Sequence, residues 1–248
     1  MKAVIFAAGL GTRLRPLTDN TPKALVEVAG QPMLKRVIEK LKASGVDYFI
    51  INVHHFADKI KSYLEENSNF GVKIIVSDES DHLLETGGGL LKIRELLDTD
   101  NEPFIVHNSD ILTDFDITEM LSRHHDRKND VTLMVNDRNS SRKLLFDHDL
   151  RLRAWTNLIT GEIRPQGVDI SAMSALSFGG VHIINPERFY PLLASYTSES
   201  KFSITPFYVD RFNELKINAY IPVDANYGWF DIGTIEKLRN AEAYLRNK

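Results

Sequence analysis

Residues 1–30, MKAVIFAAGLGTRLRPLTDNTPKALVEVAG, decide how the rest of the chain is read. Residues 3–8 form a short apolar run, which predicts a buried strand of a parallel sheet. The run breaks into Gly9-Leu10-Gly11-Thr12, where two glycines let the backbone take positive φ and come close to a ligand. Arg13 and Arg15 follow, then a turn signal at Pro16, then Thr21-Pro22-Lys23. A glycine loop at the C-terminal end of a strand, with three cations behind it, suits a triphosphate. Backbone N–H groups hold phosphate oxygens, and fixed positive charges offset the negative charge that gathers there.

A Gly-x-Gly alone is a common turn, and this one belongs to neither familiar phosphate loop. Leu14 stands where the third glycine of G-x-G-x-x-G would be, and no G-K-[ST] follows. The full string A-A-G-x-G-T-R-L-x-P-L-T-x-x-x-P-K is far more specific than its parts. It resembles the signature of the sugar-phosphate nucleotidyltransferases, which make nucleotide sugars from a nucleoside triphosphate and a sugar 1-phosphate.

Composition sets the outer bounds. A length of 248 residues with 43% apolar and 26% charged residues fits an ordinary globular chain with room for a large core. The net charge of −4 leaves no basic footprint, so nucleic acid is not an expected partner. Cysteine is absent, which removes disulfides, thiolate metal sites and cysteine nucleophiles together. The apolar start is too short for a signal peptide, and no run of eighteen apolar residues offers a membrane span. The expectation is a cytoplasmic protein without a membrane partner.

Further along, strand and helix patterns alternate. Residues 32–44 (PMLKRVIEKLKAS) place Met33, Val37, Ile38 and Leu41 on one helical face, with Gly45 at the C-cap position. Residues 48–53 (YFIINV) and 72–76 (VKIIV) predict strands, with a helix over 57–66 between them. This alternation predicts a parallel sheet covered by helices. His54-His55, after the second strand, reads as a solvated loop pair. Leu84-Glu85-Thr86-Gly87-Gly88-Gly89 reads as a glycine loop before a helix over 90–97, so that the helix N-terminus meets a flat ligand. Residues 102–107 predict another strand, leading to Asn108-Ser109-Asp110 at the ligand edge of the sheet. A helix over 117–125 and a strand over 131–135 follow.

Residues 136–175 are irregular and polar, with short apolar pieces at 143–146 and 153–155. Asn136, Arg138, Arg142, Trp155 and Asn157 read either as sugar contacts or as solvated surface. Residues 178–184 predict a strand with Gly179-Gly180 at its start. Helices over 186–193 and 204–213 and a strand over 217–222 lead to Gly228-Trp229-Phe230-Asp231-Ile232-Gly233-Thr234. Trp229 reads as packing, and an amphipathic helix over 235–246 turns Leu238, Ala241 and Leu245 inward. No repeat or linker is visible.

The resemblance extends over almost the whole length, because W-x-D-x-G-T, the glycine segment and the strand ending before Asp110 occur in the family's order. It implies a single nucleotidyltransferase domain over 1–248. The implied fold is α/β, a Rossmann-like, mostly parallel sheet with helices on both faces, of the glycosyltransferase-A-like type. A sugar-binding region of short antiparallel strands is expected at about 136–222. No C-terminal β-helix of the kind some relatives carry is expected. Arg13 and Lys23 are the implied catalytic cations, with Arg15 as a third cation of the same stretch. Nucleotide contacts are implied at Ala8, Gly9, Gly11, Thr12, Arg13, Lys23, Glu85, Thr86 and Gly87. Sugar contacts are implied at Asn108, Gly180 and Asn157, and Mg2+ ligands at Asp110 and Asp231. Ser109 departs from the family's glycine before the aspartate. The form E-T-G-G-G looks most like the branch that moves a uridylyl group from UTP to N-acetylmuramate 1-phosphate in peptidoglycan recycling. The alternatives are a guanylyltransferase acting on mannose or heptose 1-phosphate, and an inactive nucleotide-sugar-binding subunit.

Overall fold

The computed structural model describes residues 1–97 and 100–248. Contacts divide the chain into two compact units, each assembled from separated segments. The first takes Met1–Leu83, Val106–Ile117 and Asp224–Lys248, and the second takes Leu84–Ile105 and Thr118–Val223. Because the boundaries fall at turns between regular elements and inside strand and helix, no linker composition marks them.

In chain order the elements are β1 (Lys2–Phe6), β2 (Glu27–Val28), β3 (Gln31–Pro32), α1 (Met33–Ala43), β4 (Tyr48–Val53), α2 (Ala57–Glu66) and β5 (Lys73–Asp78). Then come α3 (Glu85–Lys92), α4 (Arg94–Leu97), β6 (Phe104–Asn108), β7 (Ile111–Thr113), α5 (Ile117–Asp126) and β8 (Val131–Asn136). The polar stretch supplies β9 (Arg142–Phe146), β10 (Leu152–Asn157) and β11 (Glu162–Arg164), followed by β12 (Ser174–Ile184). The chain closes with α6 (Pro186–Ala194), α7 (Ile204–Arg211), β13 (Ile217–Tyr220), β14 (Trp229–Asp231) and α8 (Ile235–Arg246).

In the first unit β1, β4 and β5 pair in parallel, with Val4 opposite Ile50 and Ile50 opposite Ile75. β6 borders β1 on its other side. Ala3, Val4 and Ile5 of β1 and Phe49, Ile50 and Ile51 of β4 are fully buried, as a strand in the middle of a parallel sheet requires. α1 buries Met33, Leu34, Val37, Ile38 and Leu41, the face that its spacing sets.

The second unit is largely antiparallel. β11, β10, β9 and β12 lie in that order, β8 pairs with β12, and β13 runs parallel to β8. The polar stretch therefore does form short antiparallel strands. α6 and α7 meet through aromatic rings, with Phe189 and Phe207 edge to face at 5.4 Å.

Two local expectations are corrected. The glycines of residues 87–89 lie inside α3, not before it. A Cβ on Gly88 would stand 2.0 Å from the Ser200 carbonyl oxygen, and one on Gly87 would stand 2.3 Å from the Phe202 ring. Glycine is needed there because the 200–202 segment crosses the helix at close range, and this outweighs glycine's poor helix propensity. The Gly179-Gly180 pair sits in the middle of β12. The register against β8 shifts between Phe178 and His182, and Gly180 takes φ 78, so the pair builds a bulge. The helix expected over 90–97 falls on the end of α3 and on α4, the short strands β2, β3, β7 and β14 carry too few residues for an apolar pattern to announce them, and the ends of β5, β6, α7 and β13 move by a few residues.

Candidate active site

The first unit builds its site where β1 ends. Asn52, 1% exposed within an otherwise apolar strand, accepts the Ala7 N–H at its Oδ1 at 2.9 Å. Its Nδ2 donates to Glu79 Oε1 at 3.1 Å, and Glu79 is itself buried. This buried polar pair fixes the direction in which the chain leaves β1. The one sequence signal for it is an asparagine within the apolar run YFIINV.

Beyond Ala8 the loop exposes Gly9 and Leu10, and Gly11 then turns with φ 67 into a single helical turn, Thr12–Leu14. The Thr18 hydroxyl donates to the Gly11 carbonyl at 2.8 Å, closing the loop from behind. Leu14 is 1% exposed and packs with Val26, Val28, Met33, Ile232, Leu238 and Ala241. The residue that replaces the third glycine of a dinucleotide loop is thus an anchor. It ties the N-terminal loop to the same core as Ile232, next to Asp231.

The two aspartates, 121 positions apart in sequence, are brought together by strand pairing. β7 and β14 run antiparallel with Asp231 opposite Ile111, and the Ile232 N–H donates to the Asp110 carbonyl at 2.8 Å. The Ser109 N–H donates to the Phe6 carbonyl at 3.0 Å, which sets Asp110 beside the end of β1. Ser109 is not among the residues with positive φ, so serine in place of glycine fits this backbone without strain.

Cations surround both carboxylates. Lys23, in the turn Lys23–Leu25, forms an ion pair with Asp110 Oδ2, and its side chain is 12% exposed. Lys237 pairs with Asp231 Oδ2 at 2.7 Å, a partner that no motif announced. A Cβ on Gly233 would meet Asp231 Oδ1 at 2.9 Å and the Arg13 guanidinium at 3.1 Å, so both groups border that glycine. Among the described residues the Arg13 side chain enters no ion pair or hydrogen bond. Arg15 instead forms an exposed pair with Asp19 at 3.4 Å.

Ala8, Gly9, Gly11, Thr12, Arg13, Lys23, Asn108, Asp110 and Asp231 all belong to the first unit, whereas Glu85, Thr86, Gly87, Asn157 and Gly180 belong to the second. There, the Gly87 and Gly88 N–H groups donate to the Phe202 carbonyl at 2.9 and 3.2 Å, and Thr86 Oγ1 accepts the Ile204 N–H at 2.9 Å. These groups are engaged in packing within the unit. Asn157 Oδ1 caps its own turn at the Ile159 N–H, 3.0 Å away. His54 departs from the solvated reading: its Nδ1 lies 2.6 Å from the Glu79 carbonyl, while His55 is exposed and lies against Phe56.

A glycine loop at a strand tip, two carboxylates on adjoining strands and cations beside them are the parts that phosphate transfer in an α/β enzyme calls for. The chain belongs to the Nucleotidyl transferase family, whose sequence model matches residues 2–144. It is 32% identical to the N-acetylmuramate alpha-1-phosphate uridylyltransferase of Neisseria meningitidis serogroup B, over 98% of this chain and 97% of that protein. It is 38% identical to mannose-1-phosphate guanylyltransferase 1 of Arabidopsis thaliana, over 54% of this chain and 38% of that protein. Its fold is similar to that of HddC from Yersinia pseudotuberculosis, with a TM-score of 0.76 at 23% identity over 98% of this chain and 99% of that one. The α/β nucleotidyltransferase fold and the transfer of a nucleotidyl group to a sugar phosphate follow for this chain.

Proposed function

We propose that the chain transfers the uridylyl group of UTP to N-acetylmuramate 1-phosphate, giving a UDP-sugar and pyrophosphate. The observation that carries this reading is the meeting of Arg13, Lys23, Asp110 and Asp231 beside the Gly9–Gly11 loop within one unit. The choice of substrates is supported by similarity along nearly the whole chain to the muramate enzyme of Neisseria meningitidis. In the reaction an oxygen of the sugar phosphate attacks the α-phosphorus of the triphosphate. A new O–P bond forms as the bond from that phosphorus to the bridging oxygen breaks, and pyrophosphate leaves with the electron pair. The attacking phosphate is already an anion, so no general base is required. Catalysis rests on orientation and charge compensation.

Arg13 meets the charge on the α-phosphate and the departing pyrophosphate. Lys23 holds the two reacting phosphates toward each other, and the Gly9–Gly11 backbone lies along the nucleotide. Asp110 and Asp231 offer only oxygen donors, the ligand type that magnesium favours, and each already attracts a cation in the form of a lysine. These two residues would hold Mg2+, which would supply a further positive charge for the phosphate oxygens.

Pyrophosphate release, measured with each nucleoside triphosphate against N-acetylmuramate, glucose and mannose 1-phosphates, tests the assignment. Release confined to UTP with the muramate is expected. A signal confined to GTP and mannose 1-phosphate would replace the reading with the guanylyltransferase one, which the 38% identity over 136 residues favours. Silence across the grid with nucleotide still bound would leave an inactive binding subunit.

A further inference from the structure

The second unit contains a cavity of about 400 Å³ that the phosphate chemistry does not use. Its floor is set by strand register. Trp155 of β10 lies opposite Leu144 of β9 on one side and Arg164 of β11 on the other. Arg142 is two residues before Leu144 and so shares its face of the sheet. That face therefore presents the row Leu144, Trp155 and Arg164, with Arg142 one row away, opposite Asn157. The Arg164 guanidinium lies 5.6 Å from the Trp155 ring centre. Residues of α7, among them Val209 and Asp210, form the facing wall.

The cations differ in what they already hold. Lys143 donates to the Arg138 carbonyl at 2.8 Å and to Asp137, and Arg164 pairs with Glu162 at 2.7 Å. Asp210, the one carboxylate on the lining, takes the Tyr196 hydroxyl at 2.6 Å. The Arg142 side chain enters no ion pair or hydrogen bond among the described residues. A guanidinium without a partner among the described residues, lining the same cavity of small-molecule size as an aromatic ring, suits an anion fixed to an apolar-faced ring.

We propose that this cavity binds a carboxylate-bearing sugar, with Trp155 carrying the ring and Arg142 pairing with the carboxylate. This would make Arg142 the residue that favours an acidic sugar over its neutral counterpart. The identity of that sugar as N-acetylmuramate, which differs from N-acetylglucosamine by a lactyl ether with a carboxylate, rests on the uridylyltransferase reading above.

Two measurements on the full chain separate the claims. In calorimetric titrations with free N-acetylmuramate and free N-acetylglucosamine, the wild-type chain should bind the muramate at least tenfold more tightly. Arg142→Gln should erase most of that preference, while Arg142→Lys, which keeps the charge and loses the fork, should retain part of it. Transfer by the same variants is followed as pyrophosphate release with UTP and N-acetylmuramate 1-phosphate. Normal transfer to the muramate with an unchanged preference in both variants would overturn the cavity assignment and leave the function standing. Arg142-dependent muramate binding without any transfer would support the cavity and overturn the function. Melting curves confirm that each variant is folded, and Arg142, exposed and without a partner to lose, gives no reason for unfolding.

Discussion

Gly9 and Gly11 sit two residues apart in the same loop, yet the structure assigns them different constraints, and a pair of substitutions separates these. An alanine Cβ at Gly9 would lie 3.5 Å from Lys23 Cδ, an ordinary contact, on a backbone without left-handed φ. Gly9→Ala should therefore keep or slightly raise stability, by about 0.4–1 kcal/mol from the restricted unfolded chain. For a chain of this size that is a rise in Tm of roughly 1–4 °C. An alanine Cβ at Gly11 would meet Thr18 Cγ2 at 2.9 Å and Lys23 Cβ at 3.1 Å, at φ 67. The left-handed conformation alone costs about 1–2 kcal/mol, so Gly11→Ala should melt several degrees lower. The informative variant is Gly9→Ala, because its fold is undamaged. If the backbone there lies against the nucleotide, the added methyl displaces the phosphates, and a misplacement of about 1 Å costs roughly a hundredfold in rate. Thermal melts and pyrophosphate release on the same preparations measure both effects. A Gly9→Ala chain that melts like the wild type and turns over like it would refute close approach at this position.

Arg13→Ala and Lys23→Ala should each lower kcat by about a hundredfold or more, in line with about 2.7–4 kcal/mol for a group aimed at the transition state; near wild-type turnover by both folded variants would remove them from catalysis. Asp110→Asn and Asp231→Asn should each raise the magnesium concentration needed for half-maximal activity, and an unchanged magnesium titration in both would show that the ion is held elsewhere. Gly88→Ala should destabilise the second unit by about 1–3 kcal/mol through overpacking against Ser200, whereas a normal melt would show that the crossing segment yields. Burial holds both His107 and His124 down to about 4, with Lys40 also repelling a proton at the first and His125 at the second. The unfolded chain binds those protons near pH 6.5, so this contribution is complete above that value. It is lost as the pH falls toward 4, by about 1.4 kcal/mol per pH unit for each histidine. Urea midpoints that stay level from pH 7 to 4 would contradict this burial effect.

What the sequence disclosed depended on how local the cause was. β4 and α2 fall at the expected residues because an unbroken apolar run and a helical stripe carry their own boundaries. The glycines of α3 were misplaced because their reason lies at Ser200 and Phe202, more than a hundred residues away, where a backbone crosses too closely for any side chain. The bulge in β12 was misplaced in the same way, since register against β8 is a property of two strands rather than one.

The site shows this division within a single loop. Gly9, Arg13 and Lys23 lie within fifteen residues of one another, so their grouping at the end of β1 was legible in the sequence. The union of Asp110 with Asp231 was not derivable locally, because it depends on β7 pairing with the distant β14. Leu14 links the two levels. In the sequence it is the residue that denies a dinucleotide loop. In the structure its burial holds the loop on the core that also contains Ile232 and Leu238. A third glycine there would free the loop from that core, at about 2–5 kcal/mol for loss of the buried side chain. The departure from the commoner glycine pattern therefore helps to hold Arg13 beside Gly233, which Asp231 also borders.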